Sequence, residues 1–226
     1  MNDQFIDRLA YAYFFIKEYV IEEGYSFEID YASDLNFNNL TESLFLEETA
    51  WVILSSGMSF KIISDKFHLV SEAFYNWESA NKIYENAHDC KNNSLKIFNN
   101  QQKIDAIITV SSIVKSEGFR NIKTRIGKNG VDYLTRFPFI GPVTKFHLAK
   151  NIGINVTKPD RHLVRISSAI GYDSPNDLCN DIAKRISEKK AIIDLVFWRY
   201  ATLENNYLSR ISHLVNSGSS SIKVPN

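Results

Sequence analysis

The chain has 226 residues, 44% of them apolar, which is enough to bury one sizeable core or two small lobes and excludes a disordered tail. Its longest apolar runs, such as AIIDLVF from residue 191, fall far short of the roughly 20 residues that cross a bilayer, and MNDQF is not a basic-then-apolar leader, so a soluble cytoplasmic protein without a membrane partner is expected. Cys90 and Cys179 lie far apart and fit no metal-type spacing such as CxxC, which leaves two buried thiols rather than a disulfide framework, a metal site or a cysteine-bound cluster.

The 26 Lys+Arg and 26 Asp+Glu cancel, and zero net charge by itself argues against a nucleic-acid partner. The charges are unevenly placed, however: residues 1–100 hold 7 cations against 16 carboxylates, and residues 101–226 hold 19 against 10. Such polarity orients a polyanion on approach, although acidic helix faces that merely meet water produce the same count.

Taken in chain order, the periodicities are helical. Phe5, Ile6, Leu9, Tyr13, Ile16 and Val20 recur at three- and four-residue steps and predict an amphipathic helix over 3–22, with Asp3 as its cap. Thr41 heads a second helix carrying Leu44, Phe45, Ala50, Trp51 and Leu54, which ends near Ser55-Ser56-Gly57. Helices follow over 60–67, 69–74 and 78–87, then a polar loop at 89–94. Ile104, Ile107, Ile108 and Ile113 predict another helix within 99–117. No useful strand alternation occurs, and 5 prolines with 9 glycines are too few for a turn-rich sandwich or barrel, so the fold class is all-α. From Val215 the composition is that of a flexible tail.

Residues 134–166, LTRFPFIGPVTKFHLAKNIGINVTKPDRHLVRI, carry the chemistry. They read as a helix, a tight hairpin, a second helix, a loop and a third helix. Gly141 stands where the chain turns sharply, and the Pro142 ring presets φ for the helix that begins there. A glycine at such a turn lets backbone N–H groups approach a phosphate, helped by the positive end of the next helix, with Lys145 and Lys150 as nearby cations. An ordinary helix-helix turn has the same composition. Asp160 heads the apolar pattern Leu163, Val164, Ile166, Ile170, at a helix start whose dipole and free N–H groups favour a carboxylate. Most such aspartates are plain caps, but this one follows the hairpin glycine by 19 residues (160 − 141).

That combination, FPFIGPVTKFHLAKNIG followed by PDRHLVRI, resembles the helix-hairpin-helix and catalytic-aspartate motif of the base-excision DNA glycosylase superfamily, which includes endonuclease III, the adenine-mismatch glycosylase and the alkylation-repair enzymes. The family hairpin is similar to LPGIGPKTA, and its aspartate sits in a D-x-H-x-x-R context that Asp160, His162 and Arg165 reproduce. ILSSGMSF at 53–60 is similar to the helix end and loop with which the family enters the duplex, and IDLVFWRY at 193–200 to its closing helix. The resemblance covers residues from about 44 to 203. It implies two helical lobes flanking a cleft: a single domain over 1–214 with a helical-barrel lobe at about 36–130 and a hairpin lobe at about 131–214 joined by the N-terminal helix 1–24, the tail being 215–226.

The departures are as informative. Family members that also nick the backbone carry a lysine two residues after the hairpin glycine, whose amine attacks the sugar; Val143 stands there, and Lys145 is roughly 200° further round the helix. The iron-sulfur cysteines are absent. Phe139 occupies the place of the first hairpin glycine, closer to the FxFVG hairpin of the type I 3-methyladenine glycosylases, and Gly57 in SSGMSF is similar to the AGLSW of that group, whose zinc ligands this chain lacks.

The resemblance therefore implies a monofunctional glycosylase without cofactor or metal, acting as a monomer on double-stranded DNA with a damaged base, in the cytoplasm and, in a prokaryote, at the nucleoid. The nucleotide is flipped into a pocket, and Asp160 stabilises the positive charge that grows on the sugar or activates water. Ile140, Gly141, Val143, Thr144 and Lys145 would hold the backbone, and Glu48, Trp51, Gly57, Met58, Phe60 and Trp198 are candidates for the base pocket or the wedge, although most residues of these types are simple core. His162 reads as a packed histidine rather than a proton-transfer group. The alternative is a non-catalytic hairpin module that only grips DNA.

Overall fold

The computed structural model describes residues 2–217, which are helical with no β-strand among them. None of their helices is long and apolar enough to cross a membrane. Two compact units are present: residues 36–153 form one, and the chain up to 35 joins the chain from 154 onward to form the other. The hairpin segment 131–153, grouped from sequence with 131–214, thus belongs with 36–130.

In the unit made of the two chain ends, α1 (Asp3–Val20) buries Leu9, Tyr13, Ile16 and Val20 along the expected stripe. Its cap is Asn2, whose side chain accepts from the Phe5 amide, rather than Asp3. Beyond Val20 the helix widens into a π turn, Ile21–Tyr25, where Gly24 at φ +90° redirects the chain into α2 (Ser26–Asp34), a helix the periodicity left unassigned. α10 (Arg161–Ala169), α11 (Pro175–Ile186), α12 (Lys190–Leu203) and α13 (Tyr207–Ser217) complete the unit. Their apolar sides, with Leu163, Ile166, Leu178, Ile182, Ile193, Phe197 and Ile211, meet the α1 stripe in one cluster. α12 is buried nearly all round, as a central helix must be, and it carries two buried charged residues, Asp194 and Arg199. Arg199 forks onto Glu28 of α2, and its guanidinium lies 4.2 and 4.7 Å from the ring centres of Tyr25 and Trp198. Val215, the expected start of the tail, is a buried residue of α13; residues 218–226 lie outside the described residues.

The other unit begins with α3 (Glu42–Ser55), capped as expected by the Thr41 hydroxyl on the Leu44 amide. α4 (Phe60–Ala73) is continuous where two shorter helices were expected. α5 (Ala80–Glu85) is followed by α6 (Ala87–Ile97), so the polar stretch 89–94 is helix rather than loop. Cys90 and Ser94, one turn apart, are both fully buried, and the Ser94 hydroxyl donates to the Cys90 carbonyl. Burial of that narrow face overrides the polar composition. α7 (Gln101–Glu117) and α8 (Phe119–Asn129) lead to a 3-10 turn, Gly130–Arg136, the hairpin, and α9 (Thr144–Asn151). The 3-10 turn packs on both α8 and α9, and α9 packs on α3, which explains why the hairpin segment joins this unit. Cys90 and Cys179 are both buried outside any disulfide.

Candidate functional site

Asp160 ends the loop 154–160 in extended conformation, φ −82° and ψ 173°, as the N-cap of α10. One carboxylate oxygen, Oδ1, accepts from the amides of His162 at 2.9 Å and Leu163 at 3.1 Å. The other oxygen takes no partner among the described residues. A plain cap needs no more than the first oxygen, so the second is available to a ligand. The carboxylate is half-buried, between exposed Arg161 and loop residues that are themselves partly covered.

What fixes the loop is α12. The Lys158 amide donates to Asp194 Oδ2 at 2.5 Å, and the Lys158 carbonyl accepts from the Asp160 amide at 2.8 Å, so a single residue, Lys158, links the buried carboxylate of Asp194 to the backbone of Asp160. Asn155 Oδ1 accepts from the Ala191 amide in the first turn of the same helix. Asp194 escaped the sequence reading because it sits in the apolar run AIIDLVF, where a lone acid is the only signal. Such a residue, 1% exposed, has to be hydrogen-bonded, and the loop supplies a donor. Thr157, also buried, has a hydroxyl with no partner among the described residues.

His162 is held at both ring nitrogens. Arg161 Nε donates to Nε2, and Nδ1 lies 3.3 Å from the Tyr207 hydroxyl, with the two rings 5.6 Å apart. Burial pushes its pKa below the ordinary histidine value, against the opposing pull of the Asp160 charge. This is a neutral, packed histidine that orients the first turn of α10.

The hairpin works differently from its sequence reading. Ile140 donates to the Phe137 carbonyl, and Gly141 donates to the Thr144 hydroxyl at 2.6 Å, while that hydroxyl donates to the Phe139 carbonyl at 3.1 Å. The Ile140 and Gly141 amides, expected to face a phosphate, are therefore engaged inside the turn. Those of Val143 and Thr144, at the uncapped start of α9, take no hydrogen bond among the described residues. The residue with left-handed backbone is Phe139, at φ +64°, and Gly141 is not in that region. A Cβ on Gly141 would meet only Thr144 Oγ1, at 3.9 Å. The glycine that geometry demands is Gly153, after α9: φ is +85°, and a Cβ there would come within 2.6 to 2.8 Å of the backbone of Asn36 and Phe37. Lys145 pairs with Asp132, which is 80% exposed, so this ion pair is worth at most about 1 kcal/mol. Val143 is exposed at the helix start.

Of the pocket and wedge candidates, Trp51, Gly57, Met58 and Phe60 belong to the second half of α3 and the turn into α4. Gly57, at φ +69°, makes the turn after α3, and Met58 and Phe60 are exposed beside it. Lys103, 5% exposed, donates to the carbonyls of Leu54 and Ser56 at 2.6 Å each, so a buried ammonium closes the α3 C-terminus and sets the start of that turn. Burial lowers its pKa. Trp51 packs edge-on to Phe60 and Phe67 and lines an open cavity of about 470 Å³ with Glu47, Ser64, His68, Glu72 and Asn76. Glu47, its carboxyl raised by burial, is in that wall, whereas Glu48 accepts from Asn151 of α9 at 2.7 Å and ties two helices together. Trp198 belongs to the other unit, packed beside Arg199. No group of three or more His, Cys, Asp or Glu side chains among the described residues is placed to hold a metal ion.

Compared with known proteins, the chain matches no family model, no curated protein and no solved structure.

Proposed function

We propose that this chain is a monofunctional DNA glycosylase that flips a damaged base out of duplex DNA and hydrolyses its N-glycosidic bond, with Asp160 as the catalytic carboxylate. The observation that carries the reading is the division of labour in that carboxylate: Oδ1 satisfies the helix start, and Oδ2 is left without a partner among the described residues at the end of a loop braced by Asp194. Breaking the C1′–N bond builds positive charge on the sugar, and a fixed carboxylate oxygen stabilises that charge or takes a proton from the attacking water. On the other unit, the Val143 and Thr144 amides at the positive end of α9 suit a phosphate oxygen, with Lys145 as the nearby cation. Val143 has no amine to form a Schiff base, so base removal proceeds without efficient strand cleavage.

The test is a panel of duplexes carrying 3-methyladenine, hypoxanthine, 8-oxoguanine, uracil or a mismatch, with abasic sites cleaved afterwards by hot alkali. Wild type should release at least one base. Asp160→Asn, which still caps α10, should lower that rate by about 10²–10⁴-fold with folding intact. Release from no substrate, with duplex binding retained, overturns the reading in favour of a hairpin module that only grips DNA.

A further inference from the structure

The cations of the 36–153 unit are mostly engaged. Lys91 pairs with Asp105, Lys103 closes α3, Lys115 lies on the Tyr84 ring and Lys145 pairs with Asp132. α8 is the exception. From residue 118 to residue 131 the sequence contains Arg120, Lys123, Arg125 and Lys128 and no carboxylate. Ile122 and Ile126 are the buried side of this helix, and Lys123 reaches inward to the carbonyls of Asn38 and Leu40. The remaining three point outward: at 100° per residue, Arg120, Lys128 and Arg125 fall at 0°, 80° and 140° round the helix, with Thr124 and Asn121 between them. Arg120 and Lys128 are exposed and take no carboxylate partner among the described residues, and Arg125 reaches a Glu117 that is held more closely by Arg136. Like charges three or four residues apart cost a helix about 0.2–0.5 kcal/mol a pair, and a solvated face normally relieves this with interspersed acids. α8 has none.

We propose that the outward face of α8 is a second contact surface for the phosphate backbone of duplex DNA, beside the hairpin. This rests on the reading of DNA as the partner and adds a surface that the hairpin motif does not include. Arg120 and Lys128 stand eight residues apart, about 12 Å along the helix, a span of between three and four phosphate steps on one strand at about 3.4 Å of duplex axis each. α8 packs on the 3-10 turn Gly130–Arg136, which packs on α9, so the basic face and the hairpin are parts of one compact unit. Contacts of this kind hold the backbone without reading sequence, so they act equally on damaged and intact duplex.

Binding of a fluorescent, undamaged 20-base-pair duplex, followed by anisotropy from 0.05 to 0.3 M salt, tests the surface. Arg120→Gln with Lys128→Gln should weaken binding by about tenfold or more at 0.1 M and lower the slope of log affinity against log salt by nearly 2, since each phosphate contact contributes about 0.9. The charge-keeping pair Arg120→Lys with Lys128→Arg should retain the wild-type slope. Lys61→Gln with Lys96→Gln, which removes two exposed charges from α4 and α6, should leave it unchanged. A wild-type slope in the first variant, or an equal loss in the last, overturns the surface while leaving the glycosylase reading standing. Wild type that binds duplex with no salt dependence, or prefers anionic vesicles, overturns both. Wild type that releases no base, with the first variant losing slope as described, supports the surface and overturns only the catalytic reading.

Discussion

The loop that presents Asp160 and the hairpin around Gly141 both lead into a helix N-terminus, but they are fixed by opposite means. The Asp160 loop is braced at long range: Lys158 and Asn155 bond to α12, each 36 residues away in sequence. The hairpin is braced from within, by bonds spanning three to five residues among Phe137, Phe139, Ile140, Gly141 and Thr144. Under the proposed function Asp160 faces a reacting carbon, and a rigid distant support holds it there. The turn, which under the same proposal presents two amides to a phosphate, is a self-contained local unit.

The largest effect that follows belongs to the long brace. Asp194→Ala removes the buried acceptor of the Lys158 amide and should cost about 2–3 kcal/mol in denaturant unfolding, with Asp194→Asn recovering most of it because an acceptor remains. Base release at saturating duplex should fall further in Asp194→Ala than duplex affinity does; an equal loss in both would mean that Asp194 merely supports the fold. Thr144→Val removes both hairpin bonds made by one hydroxyl. A stability loss of about 1–2 kcal/mol is expected. Here the asymmetry should reverse, with duplex affinity falling and the rate of release from bound, damaged duplex unchanged.

Much of this was readable from the sequence because it depends on local chemistry. The α1 stripe, the Thr41 cap, the end of α3 at Gly57 and the α10 start at Asp160 all follow from side-chain spacing and capping within a few residues. What was not readable depends on distant neighbours. Residues 89–94 look like a loop until Cys90 and Ser94 find a core to face. Asp194 is an isolated acid until the Lys158 amide meets it, and Lys103 is one more helix lysine until two carbonyls at the α3 end converge on it. Glu48 reads as a pocket group, yet its carboxylate is turned to Asn151. Even the turn expected around Gly141 places its unusual backbone on Phe139 instead.

That last reversal gives a smaller, clean test. In ordinary backbone, alanine is more favourable than glycine by about 0.5–1 kcal/mol, whereas at φ +64° the order should invert. Phe139→Gly is thus expected to be more stable than Phe139→Ala by about 1 kcal/mol in parallel denaturant melts. Alanine in the lead would mean that the turn relaxes out of the left-handed region once the phenyl ring is gone.

The smallest effect concerns the charge state beside Asp160. Burial lowers the His162 pKa in the folded chain, so the unfolded chain takes up that proton first as the pH falls. The contribution of neutral His162 is fully present above the ordinary histidine value of about 6.5 and shrinks as the pH drops through it toward the folded value. Unfolding free energies measured from pH 7.5 to 5 for wild type and His162→Phe isolate this contribution, because the other histidines are common to both. Their difference should be flat above about pH 6.5 and decline below it. The opposite trend, wild type gaining on the variant in acid, would mean that attraction to Asp160 outweighs burial. The carboxylate would then be turned toward the imidazolium, and the second oxygen assigned to the sugar would already have a partner.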